Sequence, residues 1–350
     1  MSKLAGKKLN IEILGESHAP EVKMTVKGFP KFTFDKEELI KFLSRRKASS
    51  SAFSTPRKED DLPIFEGVSG NTLDGDFSVI IKNNNVKSKD YNELYAKPRP
   101  SHADYAWHLK DGALDFSGGG RFSARLTAVY AVLGSLCKQY LEKRGVKIAC
   151  YLQSVGKVSA RSYLSGEPTY EEILNSTKEF PSLSHQAEML SEIENARFNG
   201  DSVGGVAEVI VYGLKAGVGD NLFEGLEGKL SSLIFSIPAV KGVEFGSGFK
   251  MARSYGSKVN DELYYEGDTV KLKTNNNGGI NGGISNGFNL TMRVAFKPTP
   301  SISIEQNTID LEKRENVKIK IKGRHDSCVA VRGVPCIESA VAIAILDEVL

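Results

Sequence analysis

Three histidines stand beside arginine or a carboxylate in stretches that look like loops. His18 closes Gly15-Glu16-Ser17, His102 lies between Arg99 and Asp104, and His325 lies inside Arg324-His325-Asp326. Histidine trades a proton near neutral pH, and arginine grips phosphate or carboxylate through paired N–H bonds. The recurrence of this pairing points to acid–base chemistry on a small phosphorylated or polycarboxylate ligand. Glu16 and Ser17 could orient the His18 ring, although a turn histidine also serves as a plain surface residue. Other chemistries lack their residues. Gly118, Gly120 and Ser123 break the GxGxxG pattern, and neither GxxxxGK[ST] nor GxSxG occurs. The histidines are scattered, so no metal site is expected. Cys137, Cys150, Cys328 and Cys336 lack CxxC spacing and read as free thiols of a reducing cytosol.

The elements that must position these residues centre on 98–144. Pro98 and Pro100 stiffen the segment carrying His102 and bias it away from helix. Gly118-Gly119-Gly120 then precedes an apolar series at three- and four-residue spacing: Phe122, Leu126, Val129, Tyr130, Leu133, Leu136, Cys137, Tyr140 and Leu141. Lys138, Lys143 and Arg144 fall in its last turns, where cations suit the helix dipole. A helix opened by glycines directs unpaired N–H groups to one spot. Arg121, Ser123 and Arg125 in the first turn would make that spot an anion site. A glycine turn ahead of a core helix, with its arginines in solvent, fits the same residues. A second basic stretch runs from Arg45-Arg46-Lys47 to Pro56-Arg57-Lys58 through a polar segment long enough to close over an anion or simply to be solvated.

Elsewhere, alternation predicts strands over 9–14, 22–26, 146–155, 206–212, 239–245, 290–296 and 317–321. Further strands lie within 62–81, with turns at Gly67, Gly70 and Asp74-Gly75. Helices are expected over 36–46 (Asp35 as cap; Leu39, Ile40 and Leu43 inward), 170–180, 186–199, 222–237 and 336–350. A second glycine-rich loop spans 275–287. Paired strands and blocks of helices make an α+β chain, and with no repeat or linker, 1–350 reads as one domain. A net charge of +3 draws the protein to neither nucleic acid nor membrane. No apolar run approaches the roughly 20 residues of a membrane span, and no leader is apparent, which implies the cytoplasm.

The motifs, in order, resemble those of the chorismate synthase family: GESHAP (15–20), SKDY (88–91), RPSHADY (99–105), GGGRFSAR (118–125), GDSVGG (200–205), AVKGVEFG (239–246), NGGINGGISNG (277–287), KPTPSI (297–302) and GRHDSC (323–328). The resemblance covers nearly the whole chain. It implies a β-α-β sandwich in a homotetramer. It also implies 1,4-elimination of phosphate from 5-enolpyruvylshikimate 3-phosphate to give chorismate, with reduced FMN (FMNH2) required but not consumed. By the same resemblance, His18, His102 and Asp326 transfer protons. His18 faces the leaving phosphate, and His102 faces the N1 edge of the flavin. Arg121, Phe122, Ser123, Ala239, Gly282, Lys297, Pro298, Thr299, Pro300, Ser301 and Arg324 contact the flavin. Arg46, Arg57, Arg99, Arg125 and Arg324 hold the substrate's phosphate and carboxylates.

This sequence departs from the family pattern at Ala19, Lys47-Ala48-Ser49, Phe122, Pro300 and Ser327, and at Ala52, where an arginine is usual. Ala52 lies in the loop through which bifunctional members engage NADPH, so a separate flavin reductase is expected. It also admits an alternative, a divergent flavin-binding paralogue without lyase activity. A nucleic-acid module ranks below both, because aromatic residues do not interleave with the basic ones.

Overall fold

Val22, Met24 and Val26 alternate with polar residues, and the strand they form buries all three. That alternation builds the first sheet of the computed structural model, which describes residues 1–16, 19–46, 61–83, 94–116, 119–321 and 326–350. Its strands are β1 (Ser2–Ala5), β2 (Asn10–Leu14), β3 (Glu21–Lys27), β4 (Phe32–Thr33), β5 (Ile64–Ser69) and β6 (Thr72–Lys82). They run antiparallel in the order β1-β2-β3-β6-β4, and β5 also pairs with β6. Between and after them come α1 (Lys36–Ser44), α2 (Asp104–Asp111) and α3 (Thr127–Glu142). The Asp35 carboxylate accepts from Glu37 N and Glu38 N and so starts α1.

The second half adds β7 (Lys147–Val155), β8 (Val158–Ser159), α4 (Tyr170–Ser176), α5 (Gln186–Phe198), β9 (Gly205–Tyr212), α6 (Leu226–Phe235), β10 (Val240–Phe245) and α7 (Gly256–Val259). Two hairpins follow, β11 (Leu263–Glu266) with β12 (Thr269–Leu272) and β13 (Ile280–Asn281) with β14 (Ile284–Ser285). Then come β15 (Leu290–Phe296), the hairpin of β16 (Gln306–Asp310) and β17 (Glu315–Ile319), and α8 (Val329–Val349). The second sheet is antiparallel in the order β10-β15-β9-β7-β8. Helix α3 packs on β3 and β6 of the first sheet, α8 packs on β7 and β9 of the second, and the two helices pack on each other. The result is a sheet–helix–sheet sandwich, with one apolar cluster running through all three layers.

Several elements differ from their sequence expectation. Helix α8 begins at Val329, ahead of the expected 336, because Gly333 and Pro335 read as breakers. Gly333 is there for close approach: a Cβ on it would lie 2.4 Å from the Phe296 ring. This longer helix is apolar enough to cross a membrane, contrary to the expectation that no such run exists, but it is buried between the sheets. Helix α3 does not follow directly on the glycines. Two 3-10 turns, Gly120–Phe122 and Ala124–Leu126, intervene, because Ser123 is extended and caps Arg125 N. The picture of a helix N-terminus opened by glycines is therefore corrected. Phe122 is exposed rather than core, and Lys138 is buried rather than a terminal cation. Within α1 it is Phe42, with Leu39 and Leu43, that is buried, while Ile40 is half-buried. Leu222 and Phe223 sit in an exposed 3-10 turn before α6. Helix α2 lies in the polar stretch ahead of Gly118-Gly119-Gly120, where the sequence predicts no helix. At the far end of the sandwich, the Asp347 carboxylate of α8 accepts from Lys7 N, Lys8 N and Leu9 N, which ties the β1–β2 turn to α8.

Candidate active site

His102 stands just ahead of α2. Its Nδ1 lies 2.5 Å from Asp104 Oδ1, while Arg99 Nε donates to Asp104 Oδ2 at 2.7 Å and Arg99 Nη2 donates to Oδ1 at 2.8 Å. Arg99 is only 4% exposed. Burial works to raise the Asp104 carboxyl, but the hydrogen bonds and charges of Arg99 and His102 bring it down to about 2. An ionised Asp104 fixes Nδ1 as the donating nitrogen of His102, which leaves Nε2 to meet a ligand.

A second cluster gathers Arg46 and Arg125 on Asp61. Arg46 Nη1 donates to Asp61 Oδ2 at 2.7 Å, and Arg125 Nη1 donates to Oδ1. Arg46 also reaches Thr127 Oγ1 and Ala124 O, and Arg125 reaches Asn83 Oδ1 and Lys82 O. All three charged side chains are buried. Burial opposes ionisation of Asp61, yet the two guanidiniums hold it below the ordinary carboxylate value.

These clusters belong to one circuit of contacts. Arg332 Nε donates to Arg46 O, and Arg332 Nη1 donates to Asp326 Oδ2, each at 2.9 Å. Thr299 Oγ1 donates to Asp326 O at 2.9 Å. Lys297, two residues before Thr299, donates through Nζ to Ser101 O, beside His102, and through its main-chain N to Ala239 O. On the other side, Asn83 donates to Ala19 O and Glu16 O, and Glu16 lies 3.9 Å from Arg121. Arg121 stacks over Trp107 of α2, with Cζ 4.5 Å from the ring centroid, and Phe122 meets the same ring edge-on. Helix α2 leads back to Asp104 and His102. Asp61, Ser101 and Ala239 all hold positive φ (47°, 60° and 72°), so strained backbone gathers along this rim.

A sequence profile described as chorismate synthase matches residues 9–350. The chain belongs to the chorismate synthase family. It is 42% identical over 352 residues to "Chorismate synthase" of Pyrococcus abyssi, covering 99% of this chain and 97% of that one. It is 40% identical to "Chorismate synthase" of Methanocaldococcus jannaschii, covering 98% and 94% respectively. A solved structure titled "Crystal Structure of Chorismate Synthase" superposes with a TM-score of 0.76 at 25% identity, over 99% of this chain and 93% of that one.

The residues expected from the motifs to contact ligands divide into three groups. Arg46, Arg99, His102, Arg121, Arg125, Ala239, Lys297, Thr299 and Asp326 lie on the circuit. Phe122 and Ser123 extend it, and Pro298, Pro300 and Ser301 continue the Lys297 segment. Gly282 turns the β13–β14 hairpin, which is fastened to the start of α6 through Gly283 O and Leu226 N. Among the described residues no contact joins it to the circuit. His18, Arg57 and Arg324, like Ala52, lie outside the described residues. Asp61, Asn83, Trp107 and Arg332 are the residues that sequence reasoning missed. Asp61 ends an acidic run that reads as solvated surface, and Arg332 sits in a helix turn with no motif of its own. Trp107, the one tryptophan of the chain, was the available signal.

Proposed function

We propose that this protein converts 5-enolpyruvylshikimate 3-phosphate to chorismate by 1,4-elimination of phosphate, with reduced FMN bound and not consumed. The observation that carries the reading is the contact circuit, which brings His102, Asp326, Arg46, Arg125, Arg121 and Lys297 from five stretches of chain to one rim. The donor set suits a flavin. Arg121 and Lys297 offer cations, and Ser123 and Ser301 offer hydroxyls. An added Cβ at Gly120 or Gly282 meets nothing within 4 Å, so there is open space beside both. Held by these residues, reduced flavin would supply electron density for the departure of phosphate.

The chain's own residues bind, orient and move protons. Arg46 and Arg125, held by Asp61, form a cationic wall for phosphate and carboxylates, and the family resemblance assigns Arg57 and Arg324 to the same anions. Arg99 acts on the same anion and fixes Asp104. His102, its Nδ1 turned to Asp104, would present Nε2 to the bound cofactor, and the family resemblance assigns His18 to protonate the leaving phosphate. Asp326 handles the ring proton as the C–O bond to phosphate breaks and a second ring double bond forms. Burial, with Lys241 nearby, holds the Lys297 ammonium below its usual value, which suits a desolvated contact to the flavin. The shared apolar cluster supports reading 1–350 as one folding unit. A homotetramer in the cytoplasm, served by a separate flavin reductase and binding neither nucleic acid nor membrane, completes the proposal.

The test is anaerobic incubation with the phosphorylated enolpyruvyl substrate and reduced FMN. Chorismate and phosphate should appear in equal amounts. Flavin binding with no product would favour the divergent relative that lacks the lyase step. His102→Ala should lower turnover by roughly 10²–10⁴-fold, the usual contribution of a positioned acid. It should cost no more than about 1 kcal/mol of stability, because Arg99 still donates to Asp104 twice.

A further inference from the structure

Arg332 lies in the first turn of α8, where a cation opposes the helix dipole and no acidic residue of the helix accompanies it. Helix stability therefore gives no reason for an arginine there. Its guanidinium is fastened at two places, Nη1 on Asp326 Oδ2 and Nε on Arg46 O, both at 2.9 Å. Two bonds from one rigid plane set the orientation of that plane, and with it the tilt of the Asp326 carboxylate. The main-chain carbonyl of Asp326 is held separately by Thr299 Oγ1. Asp326 is thus gripped at both ends, and its side chain stays 13% accessible, against 23% for that of Arg332. Lysine could reach either partner of Arg332, but as a single point donor it cannot fix a plane.

We propose that Arg332 is a positioning residue for the elimination: it aims the Asp326 carboxylate and locks it to the segment that carries Arg46. This rests on the reading that Asp326 handles a proton in that reaction.

The experiment measures anaerobic steady-state kinetics with reduced FMN for Arg332→Met, Arg332→Lys, Asp326→Asn and the double variant Asp326→Asn with Arg332→Met. Arg332→Met should lower kcat by about 10²-fold, the scale of a misplaced reacting group. Its KM should stay within about threefold of wild type, since the ligand-binding arginines remain. Arg332→Lys should recover part of the lost rate. The double variant should be no slower than Asp326→Asn alone, because nothing is then left to position. Wild-type kcat in Arg332→Met, or multiplicative losses in the double variant, overturns the proposal. If Arg332→Met fails to fold, Arg332→Lys carries the same test: kcat below wild type at unchanged KM supports it, and wild-type kcat overturns it. Full turnover by Asp326→Asn removes the role of Asp326 itself, and the proposal with it, whereas a dead Asp326→Asn beside an unimpaired Arg332→Met condemns the proposal alone.

Discussion

Arg45 and Arg46 are consecutive residues just past α1, and each reaches a carboxylate shared with a second cation. Arg45 meets Glu338 in two bonds of 3.0 and 2.5 Å, and Lys138 meets the same carboxylate at 2.5 Å. Arg46 and Arg125 share Asp61. The first cluster ties α1 to regular helix, since Lys138 belongs to α3 and Glu338 to α8. The second joins irregular backbone: Asp61 at positive φ, Arg125 in a 3-10 turn and Arg46 past a helix end. One arrangement of charges therefore serves two ends. Among helices it fixes the layer between the sheets. Among loops it holds two cations together beside the stretch in which the proposed substrate anions would bind.

The largest test of this contrast is Glu338→Ala. It leaves Lys138 buried without its partner and should cost about 3–5 kcal/mol of stability, read from denaturant midpoints. The molecules that fold should turn over normally. Asp61→Asn should also destabilise, by about 2 kcal/mol, and here a ligand should make the difference. Inorganic phosphate should raise the melting temperature of this variant more than that of wild type, and should leave the deficit of Glu338→Ala unchanged. Equal phosphate rescue of both variants would erase the distinction between the clusters.

Acid sharpens it further. Glu338, like Asp104, is held at about 2: burial pushes it up, and Arg45 and Lys138 outweigh that. A depressed carboxylate stabilises the fold fully above its unfolded value of about 4, and the benefit disappears as pH falls through the folded value. The unfolding midpoint should therefore drop between pH about 4 and about 2. Asp104→Asn should lose up to about 2 kcal/mol at neutral pH and show a shallower acid limb. The smallest effect belongs to Phe122→Ser, which removes an exposed ring. Phe122 is exposed and touches Trp107 edge-on, so stability should move by less than about 0.5 kcal/mol. A change in FMN affinity would show that Phe122 sets how Arg121 is presented.

What could be read from the sequence was local. Asp35 announces α1, alternation announces β3, and the Arg99-to-Asp104 spacing already places His102 between its two partners. What could not be read depends on distant partners. Lys138 looks like a C-terminal cation until Glu338 is known to lie across from it, and spacing along a chain gives no sign of that. The start of α8 was hidden because Gly333 and Pro335 argue against helix locally, while packing on Phe296 demands the glycine. The site was legible as residue types and as motifs in family order. Its frame of Asp61, Asn83, Trp107 and Arg332 was not, since each carries an ordinary side chain whose role comes from what it touches.

The place of α8 also bears on how the molecule is made. The helix that covers the second sheet and packs on α3 follows every other described element in the chain, and its Asp347 holds the β1–β2 turn across 338 residues of sequence. During synthesis the first sheet can pair its strands and take α3 early, but α3 and the second sheet keep an apolar face uncovered until α8 is available. A stalled or truncated chain that lacks α8 should therefore be a client for chaperones rather than a smaller working enzyme.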